Sequence, residues 1–363
     1  MRTYVFPGQG AQQKGMGASL FDEFEDLTRS ADSILGYSIR SLCLEDPDNL
    51  LDQTQYTQPA MYVVNALSYY RKRRETGLVP DFVAGHSLGE YNALLAAQAF
   101  DFETGLRLVH KRGELMGRAS GGGMAAVLNA SEKEIRTILK ENGLDSVDLA
   151  NFNTPSQIVI SGRAEDIKAA QSLFQAGNHL FISLKTSGAF HSRYMEPARA
   201  EFSEFLAEIP ISEPRIPVIS NVTARAYGNH LIKENLTKQI VSAVLWSDTV
   251  EHLLGYPEME FDEVGHGDVL TKLLRKIRRE LPDKRKMPVR AAKEPAENAG
   301  ETVRKWNEMH VIGTRVRSTT GNYGTLETAT AATVLFGHRA AVYMHGYRGY
   351  FDLNELESIP AAH

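Results

Sequence analysis

Apolar residues recur every three or four positions across "QPAMYVVNALSYYRKRRE" (58–75) and again from about Phe21 to Leu35. That is the period of a helix with one buried face. Two short runs read differently. "TYVFPG" (3–8) and "DFVAGHS" (81–87) are continuous apolar stretches leading into glycine-bearing turns, which predicts buried strands. The second is followed by "LGEYNALLAAQAF" (88–100), whose Ala and Leu content predicts a helix. A strand, a tight turn and a helix therefore meet within "VAGHSLGEYNAL" (83–94).

From about Gly122 the texture changes. "GMAAVLN" (123–129), "VDLANFN" (147–153), "SQIVISG" (156–162) and "HLFISLKTS" (179–187) read as strands. "SEKEIRTILKENG" (131–143), capped by Ser131, and "RAEDIKAAQSLFQAG" (163–177) read as helices. The order β-α-β-β-α-β predicts a ferredoxin-like subdomain over 121–187, inserted between Arg112 and "GAFHS" (188–192). The main body resumes with a helix near 194–208, a strand at "IPVISN" (216–221) and a helical stretch ending around Arg279. The expected fold class is α/β. A hydrolase-like large subdomain (1–120 and 188–280) carries the small ferredoxin-like one, with a cleft between them suited to a ligand.

Lys272–Lys293 holds ten Lys/Arg and two acidic residues, and "AAKEPAENAG" (291–300) follows. Charge, Pro288, Pro295 and low complexity predict a charged linker over 281–308. Beyond it, 309–363 alternates apolar and polar residues between glycine turns, which predicts a small, SH3-like β domain.

Composition narrows the function classes. A chain of 363 residues with 42% hydrophobic and 23% charged residues buries a large core. Its net charge of −5 gives no bulk reason to bind nucleic acid. The basic run lacks interleaved aromatics and suits steering toward an acidic partner better. Cys43 is the only cysteine, so an intramolecular disulfide and a cysteine metal cluster are excluded. No G-x-G-x-x-G follows a strand, no P-loop lysine follows the glycine runs, and no H-x-x-x-H occurs. The expectation is no bound cofactor and no metal. The N-terminus has no apolar core of a signal peptide, and no stretch approaches a membrane span of about 18 apolar residues. A cytoplasmic monomer is expected.

Gly85-His86-Ser87-Leu88-Gly89 fits G-x-S-x-G. By itself the pattern leaves open whether Ser87 is a nucleophile or a small residue in a glycine loop. The strand–turn–helix context favours a nucleophile, with glycines permitting the sharp turn and the helix N-terminus facing a developing oxyanion. A serine hydroxyl needs a base. His86 is a poor one, because neighbouring side chains on such a turn diverge. His191 stands at the lobe junction, but among 11 histidines its position alone does not single it out.

Nine stretches in one order carry a resemblance. They are "FPGQGAQ" (6–12), "QPAMY" (58–62), "GHSLGE" (85–90), "KRGELM" (111–116), "GGGMAAV" (121–127), "NFNTPSQIVISG" (151–162), "GAFHS" (188–192), "PVISNVTA" (217–224) and "EVGHGDVLTKL" (263–273). Over roughly 1–280 the chain resembles the malonyl-CoA:acyl-carrier-protein transacylases. It is most similar to the free-standing, trans-acting acyltransferases of polyketide synthases. The resemblance implies transfer of malonyl from malonyl-CoA to the phosphopantetheine thiol of an acyl carrier protein through an acyl-serine. Polyketide synthase modules are the further partners it suggests.

It also implies roles. Ser87 would be the nucleophile and His191 its base. The backbone N–H groups of Gln9 and Leu88 would form the oxyanion hole. Arg112 would hold the substrate carboxylate, its planar fork matching one. The base would be oriented by backbone carbonyls of the "EVGHGD" loop rather than by an acid. Phe190, a bulky residue before the base, would favour malonyl over branched acyl groups. Gln58 and Asn153 are secondary positions. His266, with Asp268, replaces the proline and lysine of the family's "GPGKVL". The alternative is a proofreading hydrolase that clears acyl groups from carriers; Arg112 argues against it, since a cation is wasted on uncharged acyl chains.

Overall fold

The computed structural model describes residues 1–175, 179–228, 230–281, 299–319, 323–335, 339–347 and 350–359. Two compact units divide the chain, 1–282 and 283–363. Among the described residues no helix is long and apolar enough to cross a membrane.

In the first unit, β1 (Arg2–Phe6), β2 (Phe82–Gly85), β7 (Val218–Ile219) and β8 (Glu260–Glu263) form one sheet in the order β7-β2-β1-β8. Every pair in it is parallel. Parallel strands are covered on both faces, which is why "YVF" and "FVA" are continuous apolar runs. Tyr4, Val5, Phe6, Phe82, Val83 and Ala84 are all buried. The helices Thr54–Thr76, Gly89–Ala96 and Phe102–Gly117 pack around the main core, which includes Tyr62, Leu88 and Leu106.

The small subdomain is a second sheet of β3 (Gly122–Leu128), β4 (Asp148–Thr154), β5 (Gln157–Arg163) and β6 (Leu180–Ser183). Its order, β4-β5-β3-β6, with every pair antiparallel, is the ferredoxin-like arrangement. The helices Glu132–Glu141 and Ala164–Gln175 bury Ile135, Leu139, Ile167 and Phe174 in its own core. Ser131 starts the first of them in a reciprocal capping box with Glu134. The fold is thus α/β with two subdomains, and the small one is stitched to the large. Phe152 N–H bonds Val244 O at 2.9 Å and Val244 N–H bonds Ala150 O at 2.9 Å.

The second unit begins differently from expectation. Residues 282–298 of the expected linker lie outside the described residues, but its last part is the helix Ala299–Met309. "ETVRKWNEM" places Val303 and Trp306 three residues apart, and both pack on this unit's core. The preceding low-complexity composition hid that short stripe. Among the described residues six short strands follow: β9 (Arg315–Ser318), β10 (Thr325–Glu327), β11 (Thr333–Leu335), β12 (Arg339–Tyr343), β13 (Tyr350–Asp352) and β14 (Leu356–Ser358). They form two antiparallel sheets, β10-β9-β14 and β11-β12-β13, joined by an isolated bridge between Thr328 and Met344.

Candidate active site

Ser87 occupies the turn between β2 and the helix Gly89–Ala96 with φ of +50°. A left-handed conformation costs a non-glycine residue about 1–2 kcal/mol, so the surroundings must impose it. They do so by close packing. A Cβ on Gly85 would lie 1.9 Å from the Gly89 carbonyl carbon, and one on Gly89 would lie 2.0 Å from Phe6 O. Only glycine lets strand, turn and helix approach this closely. Asn221, just after β7, pins the turn: its Oδ1 accepts Ser87 N–H at 2.7 Å and its Nδ2 donates to Gly85 O at 2.6 Å.

Ser87 Oγ lies 2.8 Å from His191 Nε2. His191 Nδ1 faces two carbonyls, Gln239 O at 2.8 Å and Ser242 O at 3.1 Å. Carbonyls only accept, so the ring proton sits on Nδ1 and the Nε2 lone pair is left for the serine. Burial, then the Arg112 charge, push the imidazole down to about 3. It therefore stands neutral and able to take a proton.

These carbonyls correct one expectation. The His191 ring is oriented from the segment Gln239–Ser242, not from the "EVGHGD" loop. Gln239 is the last residue of the helix Ile232–Gln239, where the final carbonyls have no intrahelical partner and the dipole is negative. That end stabilises an imidazolium where other sites use an acid. The loop instead packs Gly265 against Asn65 and Pro7.

Arg112, on the helix Phe102–Gly117, is 1% exposed yet sends Nη2 to Ser87 Oγ at 3.1 Å. Gln58 Oε1 accepts from Nη1 at 2.8 Å and Gln239 Oε1 from Nη2 at 3.0 Å. The guanidinium also lies over the Tyr91 ring, 5.7 Å from its centroid. A buried cation is thus aimed at the Ser87 hydroxyl, held by neutral oxygens rather than a carboxylate.

The cleft over Ser87 has a volume of about 270 Å³ and is lined by Gln9, Arg112, Met116, Met124, Phe190 and His191, among others. The loop after β1 reaches it by passing close over the turn, where a Cβ on Gly8 would lie 2.3 Å from His86 O. Among the described residues, no acceptor within the protein is seen for the N–H of Gln9 or Leu88. The Gln9 side chain bonds Thr54 Oγ1 at 3.2 Å. Asn153 stands one layer back, its Oδ1 2.8 Å from His86 Nε2. His266 is not brought to the cleft; its ring lies 3.4 Å from Gln13 Oε1. Gln239, Ser242, Asn221 and Glu90 were not singled out from sequence. Backbone acceptors leave no side-chain signature, and only the quoted "GHSLGE" and "PVISNVTA" motifs touched two of the four. Among the described residues no cluster of His, Cys, Asp and Glu is set to hold a metal.

A profile of the acyl transferase domain matches residues 3–339. The chain belongs to that family. Over 282 residues it is 56% identical to the polyketide biosynthesis malonyl CoA-acyl carrier protein transacylase PksC of Bacillus subtilis, covering 77% of this chain and 98% of that one. The crystal structure of a malonyl CoA-acyl carrier protein transacylase from Burkholderia pseudomallei matches this acyl transferase with a TM-score of 0.77 and 54% identity, over 78% and 99% of the two chains. A malonyl-transacylase solved in complex with its type II polyketide synthase acyl-carrier protein matches with a TM-score of 0.72 and 33% identity, over 76% and 92%. The resemblance carried by the nine motifs is thus to the family that the comparisons find.

Proposed function

We propose that this acyl transferase moves malonyl from malonyl-CoA to the phosphopantetheine thiol of an acyl carrier protein, serving polyketide synthesis. The observation that carries the reading is the buried Arg112 aimed at a serine that is hydrogen-bonded to a neutral histidine. In malonyl the carboxylate is two carbons from the carbonyl under attack, so a cation beside the nucleophile selects it. A hydrolase of uncharged acyl groups gains nothing from that charge.

In the first half-reaction Ser87 Oγ attacks the thioester carbonyl as its proton passes to His191 Nε2. The oxyanion is met by the N–H groups of Gln9 and Leu88. The intermediate collapses, the carbon–sulfur bond breaks, and the proton goes from His191 to the departing thiolate. The second half-reaction reverses these steps with the carrier thiol as attacker. An acyl-serine keeps enough activation for the exchange, and each bulky thiol uses the cleft in turn. No bound cofactor takes part in these steps; coenzyme A and phosphopantetheine are substrates' handles. The reading is tested by loading the enzyme from malonyl-CoA and then offering holo carrier protein or buffer alone, with the adduct followed by intact mass.

Phe190 fills the cleft wall beside His191, 5% exposed. We expect Phe190→Ala to raise loading from methylmalonyl-CoA relative to malonyl-CoA by about tenfold, within the roughly 1–3 kcal/mol that one methyl commands in an apolar pocket. Competition between the two thioesters, read as the ratio of adduct masses, measures it. An unchanged ratio removes Phe190 from substrate choice.

A further inference from the structure

Behind the cleft lies a carboxylate that the reaction steps leave unused. Glu90, in the first turn of the helix Gly89–Ala96, is 0% exposed. Three donors converge on it: Tyr227 Oη at 2.5 Å, Asn221 N at 3.0 Å and Gln239 Nε2. An ionised carboxylate, which only accepts, suits three donors best. Each contact continues to the site. Gln239, with Nε2 held by Glu90, turns Oε1 to Arg112 and offers its main-chain carbonyl to His191. Asn221, with its N–H held by Glu90, grips Ser87 and Gly85 with its side chain.

The Gln239 amide has two faces of opposite polarity. Turned by half a revolution, it would set an N–H against Arg112 and an oxygen against Glu90, replacing two attractions by two repulsions. Glu90, together with Ser87 O, which accepts from the same Nε2 at 2.9 Å, holds the face that Arg112 meets. Resting on the transacylase reading, we propose that Glu90 is a positioning residue. Its carboxylate fixes the Gln239 amide and the Asn221 backbone, and through them aims Arg112 at the substrate carboxylate and His191 at Ser87.

The charged and titratable groups that face Glu90 are Tyr227, from the turn after β7, and Arg112, from the helix Phe102–Gly117. Tyr91 adjoins it on its own helix. Burial dominates over the hydrogen bonds from Tyr227, Asn221 and Gln239 and over the Arg112 charge, and pushes the Glu90 carboxyl up to about 7. Glu90 therefore loses its charge as the pH falls through about 7, a range where His191, down at about 3, does not titrate.

The test is single-turnover loading from malonyl-CoA, counted per adduct-forming site, for wild type, Glu90→Gln and Tyr227→Phe between about pH 6 and 9. Wild-type loading should fall on the acid side with a midpoint near 7. Glu90→Gln should load about tenfold to a hundredfold more slowly at the alkaline end, as expected for misaimed groups. Its loss should appear in the maximal loading rate as well as in the malonyl-CoA concentration for half-maximal loading, and it should have no acid limb. Tyr227→Phe removes one donor to the carboxylate, so it should keep the alkaline rate within about twofold and move the limb to higher pH. Glu90→Gln loading like wild type with the limb in place overturns the proposal. Should that variant not fold, an unmoved limb in Tyr227→Phe overturns it equally. Absence of any malonyl adduct on the wild type is a different result, and defeats the transacylase reading itself.

Discussion

Ser87→Ala is expected to abolish covalent loading and to lower malonyl transfer by about 10⁴-fold or more, the scale on which enzymes lose a nucleophile that acts as a unit with its base. The loss is specific to chemistry. The turn is imposed by Gly85, Gly89 and Asn221, none of which depends on Oγ, and Ala takes the same left-handed backbone at the cost Ser already bears. The melting temperature should therefore stay close to that of wild type while the adduct disappears. A variant that still gained malonyl mass would place the acyl group elsewhere.

Arg112→Ala should change what is loaded more than whether loading occurs. Removing a desolvated, charge-assisted partner costs about 2–5 kcal/mol, so malonyl loading should drop by about 10²-fold or more in kcat/KM. Acetyl loading should hold or rise, because the Arg112 charge is the second cause holding His191 down, and without it the base is stronger. The malonyl-to-acetyl ratio is the measurement, since misfolding lowers both rates together. Arg112→Lys keeps the charge but not the two-pronged fork, and should fall between. Truncation also leaves Gln58 Oε1 and Gln239 Oε1 without their donor, so a lower melting temperature is expected alongside. An unchanged ratio contradicts the role given to Arg112.

Much of this was legible in the chain because it is local. The turn at Ser87 is written by two glycines between an apolar strand and an Ala/Leu helix. The ferredoxin-like insertion is written by six elements in their order, with Ser131 marking a helix start. His191 was legible only by resemblance, since nothing local separates it from ten other histidines. Its orientation was misplaced for a physical reason. A helix C-terminal carbonyl at Gln239, 48 residues downstream, supports the imidazole, and a carbonyl belongs to every residue alike. Glu90 and Asn221 sat inside recognised motifs, but burial and partnership, not sequence, distinguish a structural carboxylate from one that aims a catalytic group. The helix Ala299–Met309 was masked by the charged, low-complexity stretch before it.

The central claim is that a malonyl group rests on Ser87 and leaves preferentially to a carrier thiol. It is tested most directly by isolating the malonyl-loaded enzyme and timing the loss of the adduct mass with holo acyl carrier protein and with buffer alone. The expected result is an adduct that requires Ser87, survives in buffer and passes its mass to the carrier at a much faster rate. An adduct that drains to water as fast with the carrier as without it would contradict transfer and make the enzyme a hydrolase.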